Sequence, residues 1–227
     1  MIDKDRSPSD IAEASYRSVF RTDFTQPGFA LINLRSNCSS ETQRQLMVDL
    51  KNEFSRLESG HRGRELVDQS LTRFDQQVTT KPQRDGGPDE SVLMLGYEPS
   101  LIESPLEMSD YSKCVHDLGM TPVKFLDQFN PMFPGGQERL AGCAAPIDDV
   151  DNTSYQVMII NNSLNSLGDG LVGVLHTATI LNPNPDLRRV INSTMMASVL
   201  RGHGEGMTVA EQIDLATTVV VRTPVYH

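Results

Sequence analysis

The last third of the chain alternates short β-rich runs with tight turn clusters, and this pattern limits the fold more than any other feature of the sequence. Tyr155–Asn161 (YQVMIIN), 171–180 (LVGVLHTATI) and 189–195 (RVINSTM) are of strand length and rich in β-branched residues. Between them, 162–170 (NSLNSLGDG) and 182–185 (NPNP) carry the Gly, Pro and Asn that turns require. Strands so close in sequence pair most simply as antiparallel neighbours, which predicts a sandwich or barrel. Thr208 with Glu211 opens a short helix, and 219–222 reads as a closing strand.

The first half supplies helices. Residues 8–20 form an amphipathic pattern capped by Ser9 or Asp10, and Gln26-Pro27-Gly28 turns the chain into an apolar strand over 29–34. A longer helix follows. Ser40 and Gln43 read as its capping box, Leu46, Leu50, Phe54 and Leu57 fall on one face, and Gly60 is the expected stop. Residues 66–78 hold one or two strands, 81–90 (KPQRDGGPDE) reads as a loop, and 91–97 as a buried strand. Two helices are expected over 110–118 and from Thr121-Pro122, and 130–136 (NPMFPGG) as a loop within one domain. There is no internal repeat, so 1–227 is expected to be a single domain with a helical N-terminal half.

Charge and composition exclude several partners. Twenty Lys and Arg against thirty Asp and Glu leave a net charge of −10, which disfavours a phosphate backbone held by cationic side chains. No apolar run reaches the roughly 20 residues that span a bilayer, and the N-terminus lacks a signal-peptide core. Cys38, Cys114 and Cys143 are too few and too far apart for a disulfide framework or a zinc pattern. The expected protein is cytoplasmic, with a small-molecule partner and neither nucleic acid nor membrane; its oligomeric state is not legible.

His176 interrupts an apolar strand in which Val174, His176, Ala178 and Ile180 share one face. A buried imidazole there needs either a hydrogen-bond partner or a metal. Twelve residues later, alternation from Arg188 puts Arg188, Val190, Asn192 and Thr194 on one face and turns Arg189 away. A guanidinium facing the same interior would receive a carboxylate through two parallel hydrogen bonds. The bland alternative is a structural histidine and two solvated arginines after a turn.

Residues 173–180 (GVLHTATI), a Pro-rich turn and 188–193 (RRVINS) resemble the end of the iron(II)/2-oxoglutarate-dependent oxygenases. The strand and turn over 157–170 resemble the segment leading into that histidine, and 28–34 followed by a capped helix resembles the family's opening. The resemblance implies a mainly β fold with N-terminal helices, a double-stranded β-helix of the jelly-roll or cupin-like barrel type. It implies Fe(II) and 2-oxoglutarate as cofactors, His176 as an iron ligand, and Arg188 holding a 2-oxoglutarate carboxylate beside Asn192 and Thr194. The reaction would be oxidation of a small molecule, an amino acid or a biosynthetic intermediate. In that family an earlier strand supplies His-x-Asp to the metal, and this chain has no such motif. Asp149-x-Asp151 copies the spacing with a carboxylate in the imidazole's place, His116-Asp117 is a second candidate, and absence of the ligand is the third. Readings from other classes are a non-catalytic β-barrel binding protein descended from the family and a metal-dependent isomerase or cyclase on the same fold.

Overall fold

The computed structural model describes residues 2–3, 6–204 and 206–222. Its strands are β1 (Ile2–Asp3), β2 (Phe29–Arg35), β3 (Arg64–Asp75), β4 (Ser91–Tyr97), β5 (Leu106–Ser109), β6 (Ala144–Pro146), β7 (Tyr155–Asn161), β8 (Leu175–Ala178) and β9 (Val190–Leu200). The helices are α1 (Pro8–Val19), α2 (Ser40–Arg62), α3 (Tyr111–Asp117), α4 (Pro122–Gln128), α5 (Pro134–Leu140) and α6 (Val209–Thr217). Six strands form a large sheet in the order β1-β2-β7-β4-β9-β3, antiparallel except for the β1–β2 pair. A small antiparallel sheet has the order β6-β5-β8.

Alternation along the central strands gives the large sheet two apolar faces. Ile32, Val157, Ile159, Val92, Met94 and Met196 pack against Ile11, Val19, Met47, Leu50 and Phe54 of α1 and α2. The intervening residues Leu31, Met158, Ile160, Leu93, Leu95, Ile191 and Met195 pack against Leu106, Met108 and Ala178 of the small sheet. The result is helices, large sheet and small sheet in layers, each burying one face of its neighbour.

The expected closed barrel is not seen; the described strands form two separate sheets. Proline, which donates no ladder hydrogen bond, interrupts the chain at 182–185, and within 81–88 pairing is reduced to a bridge between Gln83 and His176. Residues 171–180 are a strand only over β8, and 219–222 contributes a single bridge, from Arg222 to Phe74. Caps shift as well. Ser7, with Asp10, caps α1, Ser39 caps α2 by accepting from the Thr42 N–H, and α2 runs past Gly60 to a left-handed Gly63. Pro134 starts α5 inside the segment expected to be a loop. No described helix is long and apolar enough to cross a membrane.

Candidate functional site

A cavity of about 380 Å³ lies between the two sheets, a volume suited to a small metabolite. Phe74, Leu95 and Ile191 give it apolar walls, and Gln83, Asp85, His176, Tyr97 and Arg189 bring polar groups to it.

Backbone pairing explains how one wall is built. Gln83 N–H donates to the His176 carbonyl at 3.1 Å, and His176 N–H donates to the Gln83 carbonyl at 3.1 Å. Bridged residues project to the same side, as do residues two apart on an extended chain, so Gln83, Asp85 and His176 share a face. The strand carrying His176 sits tight against its neighbour: a Cβ on Gly173 would come within 2.2 Å of the Ser163 carbonyl oxygen, so only glycine fits. Val174 N–H then donates to the Asn161 carbonyl at 2.9 Å.

The loop bearing Asp85 is held by Asn162, whose amide donates to the Asp85 carbonyl at 3.0 Å and accepts from the Asp85 N–H at 3.1 Å. Arg84 points the other way and donates to the carbonyls of Asn162 and Gly87, each at 2.7 Å. Asn162 is 1% exposed, so Asn162→Ala should leave buried backbone groups unpaired and cost about 2 kcal/mol of stability. Urea denaturation checks this; a loss under about 0.5 kcal/mol would mean that water replaces the amide.

Burial lowers the pKa of His176, with the Asp85 carboxylate opposing, so the imidazole is neutral at neutral pH. Its Nε2 lies 3.9 Å from Asp85 Oδ1, too far for a hydrogen bond, and its buried Nδ1 has no partner among the described residues. Gln83 Nε2 donates to the same Asp85 Oδ1 at 3.2 Å. Arg189, which also lines the cavity, is 4% exposed; its Nη1 donates to the Gln76 carbonyl at 3.4 Å and its guanidinium lies 5.2 Å from the Tyr97 ring centroid. Burial pushes the Tyr97 hydroxyl up to about 12, which keeps it a neutral donor.

Several residues expected to share one site lie apart in the structure. Arg188 is exposed and Arg189 lines the cavity, a register one residue away from the expected one. Asn192 and Thr194 therefore face the helices: Asn192 Nδ2 donates to Gln43 Oε1 at 2.8 Å and to Glu98 Oε1 at 3.0 Å, and Thr194 borders Met47. Asp149 is exposed. The Asp151 carboxylate closes its own turn, accepting from the Thr153 N–H and hydroxyl at 2.9 and 2.6 Å and from the Ser154 hydroxyl at 2.6 Å. Neither aspartate lines the cavity. His116 is also surface-exposed, with its ring centroid 5.3 Å from that of Phe24.

Gln83, Asp85 and Arg189 were missed for identifiable reasons. Gln83-x-Asp85 has the spacing of His-x-Asp, but a search for an imidazole passes over it inside a segment that composition marks as loop. The Arg188/Arg189 choice has no answer in hydropathy, because β9 is buried on both faces and alternation leaves its register open.

As donors, one neutral imidazole and one carboxylate fit a divalent ion. Two ligand bonds of about 2.0–2.2 Å at tetrahedral or octahedral angles place their donors about 3–3.5 Å apart, so the 3.9 Å gap has to close slightly around an ion. The Gln83 amide oxygen is a third, poorer donor. Among the described residues no group of three His, Cys, Asp or Glu converges to hold a metal; His176 and Asp85 supply two such donors.

No family profile matches the chain, and no curated protein matches it. Among solved structures, a variant of an iron and alpha-ketoglutarate-dependent endoperoxidase aligns with a TM-score of 0.35 and 11% identity, covering 82% of this chain and 81% of that one. At that distance neither a shared fold nor a shared activity follows.

Proposed function

We propose that the cavity belongs to an oxygenase of the iron(II)/2-oxoglutarate type acting on a small molecule, with a weakly held iron at His176 and Asp85 and the cosubstrate's carboxylate at Arg189. The observation that carries this reading is the neutral imidazole nitrogen 3.9 Å from a carboxylate oxygen, in a cavity also lined by the buried Arg189. Two facing sheets with a site between them are also consistent with a double-stranded β-helix opened along one side. When bound, iron with 2-oxoglutarate and dioxygen supplies oxidation of a carbon–hydrogen bond. The protein's own groups orient and exclude. Arg189 offers a planar fork to a carboxylate, the Tyr97 ring limits where that fork can lie, and Phe74, Leu95 and Ile191 keep water from the reacting end.

Gln83 supports a second reading. With an amide at the position where the family's pattern has an imidazole, the cavity can bind a small acid without turnover. Succinate release from 2-oxoglutarate at saturating Fe(II) separates the two. The oxygenase reading expects succinate above background from the unmodified protein and a loss of about tenfold or more in His176→Ala. Binding of 2-oxoglutarate with no succinate would leave the non-catalytic reading standing.

A further inference from the structure

The cavity carries a second cation at its rim. Arg222 is exposed, yet its backbone is fixed to the edge of β3: its N–H donates to the Arg73 carbonyl at 2.8 Å, and Asp75 N–H donates to its carbonyl at 2.9 Å. These bonds make a parallel bridge with Phe74. Bridged residues project to the same side, and Phe74 packs among the apolar residues of the cavity face. Arg222 thereby lines the same cavity as Arg189. Glu211 and Asp214 border the cleft on the other side of Arg222, but no ion pair joins either of them to it.

We propose that Arg222 is a specificity-determining residue, and that the substrate is an organic acid whose carboxylate meets Arg222 at the rim while its apolar body lies against Phe74, Leu95 and Ile191. This rests on the reading of the cavity given above, in which Arg189 is taken by the cosubstrate. The protein's net charge of −10 repels acids at long range, so a preference for them has to come from a local guanidinium. A charge-assisted contact at a partly exposed rim is sufficient for about a tenfold preference.

The test is anaerobic calorimetry with saturating Fe(II) and 2-oxoglutarate, using matched probes: hexanoate against hexanamide, and phenylbutyrate against phenylbutyramide. At least one acid should bind about tenfold more tightly than its amide. Arg222→Gln should reduce that ratio to about threefold or less, and Arg222→Lys should keep most of it. No acid preference in either pair, or a preference that survives Arg222→Gln, overturns the proposal. Binding of 2-oxoglutarate itself is measured first. Its absence counts against the cosubstrate reading, while the acid-to-amide ratio with and without Arg222 still decides the role of the rim.

Discussion

Glu58→Ala should cost about 3–5 kcal/mol of folding free energy, the usual penalty for removing one partner from a buried charged network. Glu58 is fully buried on α2, where its carboxylate accepts from the Tyr16 hydroxyl at 2.7 Å, the Ser198 hydroxyl at 2.8 Å and Arg62 Nη1 at 3.0 Å. One side chain therefore joins α1, α2 and β9. Arg62 extends the network to Glu90, which accepts from the Leu171 N–H at 3.0 Å and pairs with Arg64 at 2.8 Å. Alanine would strand two buried hydroxyls and leave Arg62 without its Glu58 partner. Glu58→Gln keeps an acceptor for Tyr16 and should lose less than alanine does. Denaturant midpoints measure both, and an alanine penalty below about 1 kcal/mol would show that water repairs the network.

A gain is expected at position 83. Gln83→His should raise Fe(II) affinity by at least about tenfold, because it adds a nitrogen donor on the wall that already carries Asp85 and His176. The donor set becomes two imidazoles and one carboxylate, which suits first-row ions better than an amide does. An anaerobic metal titration reads the change directly, and His176→Ala in the same background should reverse it. Unchanged affinity would mean that residue 83 does not reach the ion.

The layered arrangement of β-sheets and helices was legible because its signals are local. Thr121-Pro122 starts α4, Thr208 with Glu211 starts α6, and Leu50, Phe54 and Leu57 mark the buried face of α2. The separation into two sheets depends on which distant segments pair, which no window along the chain reports. The site divides in the same way. His176 is legible as an imidazole inside an apolar run, whereas Asp85 reaches the cavity through the Gln83–His176 bridge and the Asn162 amide that holds its backbone, both from residues far along the sequence. Asp149 and Asp151 drew attention by spacing alone, and the turn that uses Asp151 is itself a local hydrogen-bond motif. Arg189 depended on a register that β9, buried on both faces, does not encode in its hydropathy.

In the proposed reading, the cavity holds a carboxylate against Arg189 beside a divalent ion at His176 and Asp85. Anaerobic calorimetry of 2-oxoglutarate binding, with and without Fe(II), on the unmodified protein and on Arg189→Gln tests it most directly. Saturable binding is expected, strengthened by Fe(II) and weakened by more than about tenfold in Arg189→Gln, through loss of a bidentate charge-assisted contact. Equal affinity in the two proteins, or no binding to either at millimolar concentrations, would contradict it.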